Sequence, residues 1–146
     1  MTRDRLAIVP QEGLNIDELS EVVCDGSPVI LRRYRGSPKT GKSPVLLFMH
    51  PGGFVNGGLE TEDALCRKLA LHVPIIVLSV EYRLAPENQF PAGFNDCLAA
   101  VKWVGCTAVS LIVATDSLVG HFAIWAELPR GRSGQGLHLG RPFRRR

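Results

Sequence analysis

The chain has 146 residues, 45% hydrophobic and 21% charged, with a formal net charge of +3 at pH 7. That length fits one domain and suffices for a true core, and the hydrophobic content is ordinary for a globular protein. The charge is uneven: residues 129–146 hold six Arg and no acid, leaving 11 basic against 14 acidic groups in residues 1–128. The body is weakly acidic, and an Arg-rich tail with Phe143 as its sole aromatic offers only non-specific phosphate attraction.

Residues 1–28 are weakly patterned and read as loop with a short helix near Asn15–Glu21. Val29–Arg35 reads as a strand. Residues 36–44, rich in Gly, Ser and Pro, form a connector. The continuous apolar run Val45–Met49 predicts a strand buried on both faces. Thr61 opens a helix with Glu62 and Asp63 in its first turn, where the helix dipole favours acids. Its expected apolar stripe is Leu65, Cys66, Leu69, Ala70 and Val73, and Pro74 ends it. Ile75–Val80 is a second buried strand. A helix opening at Pro91 buries Phe94, Cys97, Leu98, Val101 and Val104 at 3.6-residue spacing. Strand, helix, strand, helix makes a βαβ unit and begins a parallel sheet. Beyond Ser110 the pattern fades, and from Pro129 no regular element is expected.

Cys24, Cys66, Cys97 and Cys106 form no C-x-x-C pair and have no His at zinc spacing, so free thiols are expected. The N-terminus shows no apolar signal core, and no apolar run reaches the length of a membrane span. A cytoplasmic setting is the resulting expectation.

His50-Pro51-Gly52-Gly53-Phe54-Val55-Asn56-Gly57-Gly58 follows the first buried strand directly. A strand feeding a His-x-Gly-Gly turn is how esterase oxyanion holes are built, because the turn brings bare backbone N–H groups up to a carbonyl oxygen. Taken alone, the segment could equally be a tight turn. Tyr82-Arg83-Leu84-Ala85-Pro86-Glu87 and Phe90-Pro91-Ala92 follow it in order. With these three motifs, the chain from about Val29 to Val104 resembles the hormone-sensitive-lipase-like (fold-3) carboxylesterases of the α/β-hydrolase family.

The resemblance implies an α/β fold: an incomplete hydrolase sheet with a βαβα core of parallel strands in residues 1–108, and an irregular basic tail over residues 109–146. It implies Gly52 and Gly53 as oxyanion donors. Pro51, which replaces a Gly of the family loop, has no N–H, but the donors are the later residues. His50 would brace the loop rather than act as the base. Arg83 and Glu87 would pair and pin the loop from below, against the alternative of loose solvated charges. Asp96 is expected to be a surface or loop-bracing acid. The implied chemistry is serine-type hydrolysis of a small ester, with no metal or organic cofactor.

A G-x-S-x-G elbow should follow the second helix. No such string is present. Gly131-Arg132-Ser133-Gly134-Gln135 fails at its last position, and His121 and His138 lie outside any motif. The reading is therefore of a chain truncated or frame-altered before the elbow, with no nucleophile or triad and no activity of its own. Codons built from the third base of one residue and the first two of the next, across Trp125–Gly131, can spell Gly-Gly-Thr-Ser-Ala-Gly. A frameshift or misjoined exon after Ala108 is the leading explanation of the tail, and natural divergence the other. A non-catalytic binding remnant and a weak polyanion binder are the rival functions. With the nucleophile strand missing, Val45–Met49 should be an open edge prone to self-association unless His121–Trp125 covers it.

Overall fold

The run Val45–Met49 forms strand β3, and all five residues are buried. A computed structural model describes residues 8–36, 43–108 and 110–115. Within them the chain order is β1 (Leu14–Cys24), β2 (Ser27–Gly36), β3, α1 (Asp63–His72), β4 (Ile76–Glu81), α2 (Ala92–Thr107) and β5 (Leu111–Thr115). The strands form one sheet in the order β1-β2-β4-β3-β5. β4, β3 and β5 run parallel, whereas β2 joins β4 antiparallel and β1 joins β2 as a hairpin.

The period-two alternation of the strands sorts the core onto two faces. Leu31, Val45, Leu47, Met49, Leu78 and Val80 pack with Cys97, Ala100, Val101 and Val104 of α2. Tyr34, Leu46, Phe48 and Val77 pack with Cys66 and Ala70 of α1. Covering both faces is what lets parallel strands consist of unbroken apolar residues. Each fully buried side chain contributes roughly 1.5–3 kcal/mol.

Four expectations are corrected. The region near Asn15–Glu21 is strand, not helix, because the chain reverses at Asp25-Gly26, where both residues have positive φ (49° and 76°) and Cys24 pairs with Ser27. Asp-Gly is a strong two-residue hairpin signal, and it pins this segment against β2. The stripe of α1 is narrower than its sequence suggests. Cys66 and Ala70 are buried, but Leu65 and Val73 are 41% and 40% exposed. On α2, Phe94 and Leu98 are only half-buried, and the buried face runs through Gly93, Asp96, Cys97, Ala100, Val101 and Val104.

The fourth correction concerns the sheet edge. Residues 111–115, assigned from sequence to the irregular tail, form β5 and pair in register with β3, Val45 with Leu111 through Met49 with Thr115. β3 is thus an inner strand and not an open edge. His121–Trp125 and the rest of residues 116–146 lie outside the described residues.

Among the described residues β5 ends the sheet, and its Ile112 is 51% exposed. Self-association, if driven by a strand edge, should therefore map to β5. Sedimentation should show concentration-dependent association that Ile112→Lys weakens. A monomer at all concentrations would rule this out.

All four cysteines are free, with Cys24, Cys66 and Cys97 buried and Cys106 exposed. Burial, with the Asp96 and Asp25 carboxylates, pushes the Cys24 thiol up to about 11. Burial, with Asp63 and Glu62, pushes Cys66 up to about 12. Only thiolates react, so at neutral pH Cys106 should label with iodoacetamide first and the other three only on unfolding. Mass mapping of the labelled peptides checks this.

Candidate active site

The loop after β3 begins with a buried imidazole. His50 is 0% exposed, and its Nδ1–H donates to the Pro51 carbonyl at 2.9 Å. The ring stacks on Tyr82, with centroids 4.1 Å apart and planes 10° from parallel. The Tyr82 hydroxyl donates to the His50 carbonyl at 2.8 Å. One side chain from the segment after β4 thus holds both the ring and the backbone of His50.

Beyond Pro51 the chain takes three successive positive φ values, Gly52 at 131°, Gly53 at 60° and Phe54 at 66°. Gly52 accepts from the N–H groups of Val55 and Asn56, both at 3.1 Å, which closes the turn. A Cβ on Gly52 would lie 1.9 Å from the Asn56 carbonyl oxygen, and one on Gly57 2.4 Å from His50 Nδ1. Both positions therefore require glycine, for close approach as well as for φ. Phe54 is the strained non-glycine residue. It is held by the Ala85 N–H, which donates to its carbonyl at 2.8 Å, and by an edge contact with Tyr82. Among the described residues the Gly52 and Gly53 N–H groups have no acceptor. Two such donors beside each other are what an oxyanion requires.

The far end of the loop is also tied. Leu59 is buried, and its N–H donates to the Glu81 carboxylate at 2.9 Å. Glu60 accepts from Arg32, which is 1% exposed and also donates to Glu18. Burial works against the Arg32 charge, but the Glu18 and Glu60 carboxylates outweigh it and raise its pKa.

Arg83 does not pair with Glu87. It grips Asp96 of α2: Nη2 and Nε reach the carboxylate at 2.7 and 2.9 Å, and the Arg83 backbone N–H adds a third donor at 2.9 Å. Asp96 is 1% exposed, so it braces the loop from the core and is not a surface acid. Arg83 also reaches Asp25 in the hairpin turn at 3.3 Å. The hydrogen bond to Asp96 chiefly raises the Arg83 pKa. Glu87 is exposed and joins no described ion pair. Four-residue spacing suggested the Arg83–Glu87 pair, but the segment from Arg83 to Phe90 is not helical, so that spacing does not stack the two.

Sequence reasoning passed over Glu81, Tyr82 and Gly57. It had quoted Tyr82 without giving it a role.

A mixed sheet whose parallel strands β4, β3 and β5 are covered by helices, with a glycine turn at the C-terminal end of an inner strand, is the arrangement of the α/β-hydrolase class. Residues 46–125 match the family described as alpha/beta hydrolase fold. The chain belongs to that family, in its hormone-sensitive-lipase-like carboxylesterase branch. It is 37% identical over 133 residues to Esterase LipI of Mycobacterium tuberculosis, covering 83% of this chain and 42% of the relative. It is 43% identical over 102 residues to Carboxylesterase NlhH of the same organism, covering 64% of this chain and 32% of the relative. Among solved structures it superposes on Bacterial Heroin Esterase with a TM-score of 0.70 at 36% identity, covering 77% of this chain and 38% of that one. The chain thus spans about two fifths or less of these proteins. The family match runs past residue 108, the limit expected from sequence. Among the described residues no helix is long and apolar enough to cross a membrane.

Asp96→Ala should lower stability by about 2–3 kcal/mol, the scale for losing charge-assisted hydrogen bonds. Glu87→Gln should change it by less than about 0.5 kcal/mol. Urea unfolding of the two variants checks the pairing, and equal effects would contradict it.

Proposed function

We propose that this chain is the oxyanion-bearing part of a serine-type carboxylic-ester hydrolase and does not turn over an ester by itself. The observation that carries the reading is the loop geometry: Gly52 and Gly53 present acceptor-free N–H groups at the C-terminal end of an inner parallel strand. In the proposed reaction a serine attacks the ester carbonyl and these two amides hold the resulting oxyanion. The substrate is a small carboxylic ester, in keeping with the esterases the chain resembles.

The nucleophile belongs on a turn following a strand beside the oxyanion strand. β5 fills that position, next to β3, and the sequence from its last residue runs Thr115-Asp116-Ser117-Leu118-Val119-Gly120. We assign Ser117 to the nucleophile's place. Thr115 and Val119 stand where the motif has glycines, which is why a search for G-x-S-x-G passed it by. On this assignment the family's frame is intact through the elbow, and any change of frame lies beyond it. That agrees with a family match extending to residue 125. The acid and His of the triad follow the serine in this fold, and no motif surrounds His121 or His138 to supply them.

The same two substitutions support a second reading, in which the chain binds an ester without cleaving it. A sharp elbow with Thr and Val at its glycine positions fits a nucleophile poorly.

The 146-residue chain should not hydrolyse p-nitrophenyl acetate above background, and Ser117→Ala and Ser133→Ala should leave that background unchanged. Residues 50–59 grafted into an active relative such as Bacterial Heroin Esterase should retain turnover. In that graft Gly53→Pro, which deletes one oxyanion N–H, should cost roughly 10²–10³ in kcat. A graft indifferent to Gly53→Pro would remove Gly53 from the donor set. Saturable turnover by the chain itself would overturn the view that it is catalytically incomplete.

A further inference from the structure

Glu81 and Tyr82 are consecutive residues, the last of β4 and the first beyond it. Neighbouring residues of a strand point to opposite faces. Tyr82 joins the core on the α2 side of the sheet. Glu81 reaches the other way, to Leu59, in the segment that leads into α1. The loop from His50 to Leu59 therefore arches over the end of β4, and these two side chains straddle it. One takes the first residue of the arch, through the His50 carbonyl at 2.8 Å, and the other takes the last, through the Leu59 N–H at 2.9 Å.

We infer that Glu81 and Tyr82 act as a paired clamp that positions the oxyanion donors, Tyr82 fixing where the loop starts and Glu81 fixing where it ends. The inference rests on the assignment of Gly52 and Gly53 as donors. Neither clamp residue touches substrate in this account; both act through the loop. Oxyanion donors must stand about 2.7–3.1 Å from where the charge develops, so a loop free to shift by an ångström loses most of its effect. Phe54, a non-glycine residue at φ 66°, makes such a loop costly to hold. Its internal bonds, Val55 and Asn56 to Gly52, close the turn but do not attach it to the sheet. Attachment to β4 and the segment leaving it includes these two side chains and the Ala85 N–H, which donates to the Phe54 carbonyl at 2.8 Å; the Tyr82 and Glu81 hydrogen bonds are the ones that a conservative substitution can remove.

Amide hydrogen exchange on the full 146-residue chain tests this without any substrate, so its outcome is separate from whether the chain is an esterase. Tyr82→Phe keeps the stacked ring and removes only the hydroxyl. It should speed exchange at Val55 and Asn56 by roughly five- to tenfold, the equivalent of one hydrogen bond. Glu81→Ala should do the same at Leu59, and Glu81→Gln, which retains an acceptor oxygen, should restore most of the protection. Amides within β3 and β4 should be unaffected in all three variants. Loop and sheet amides that speed up by the same factor would show a merely structural role and overturn the clamp. So would loop amides that do not respond, or a Gln variant that fails to rescue Leu59.

Discussion

The site depends on β3 being covered on both faces. Five consecutive apolar residues can be buried only if α2 lies on one side, α1 on the other, and a parallel strand along each edge. That arrangement leaves one outlet for the chain, the C-terminal end of the strand, and it delivers His50 there still buried. A buried imidazole needs a hydrogen-bond partner, and here the next carbonyl supplies it. The loop's unusual backbone follows from this. Turning back over a buried ring within a few residues requires glycine at 52 and 57, where any side chain would strike Asn56 or the ring itself.

Charge fixes the framework around this apolar centre. Arg32 and Arg83 each bind several carboxylates drawn from different elements. Arg32 joins β1, β2 and the segment before α1, while Arg83 joins the β4 exit, α2 and the hairpin turn. Buried ion pairs add little net stability, because desolvation offsets most of the attraction. Their effect here is geometric. Each guanidinium has several acceptors at fixed directions, so a slip of the hairpin against the helices would strand a charge. The antiparallel hairpin is thereby locked to the parallel unit that carries the loop.

How much of this was legible in the sequence depends on range. β3, β4 and both helices were legible because their signals are local: unbroken apolar runs, and apolar residues at helical spacing closed by Pro74 and opened by Pro91. The glycine turn after β3 was legible because the motif is contiguous. The Asn15–Glu21 strand was misread because its alternation is broken by a bulge between Leu19 and Val22, and its deciding signal, Asp25-Gly26, lies outside the window. Arg83 was paired with the wrong acid because Asp96 lies thirteen positions on and meets it only through the packing of α2. β5 was set aside because its apolar run, Leu111–Val113, is short, and only its pairing with β3 shows it to be part of the sheet.

The division of the site along the chain has a physical consequence. Among the described residues, much of what shapes the loop after β3 comes from residues between 50 and 96: Pro51, Gly57, Leu59, Glu81, Tyr82, Arg83, Ala85 and Asp96. Oxyanion stabilisation works by preorganisation, with donors fixed before charge appears. Among the described residues the stretch from 50 to 96 therefore carries much of the loop's framework itself: the Tyr82 hydroxyl, the Glu81 carboxylate and the Arg83–Asp96 pair hold the turn and the segment beneath it in place.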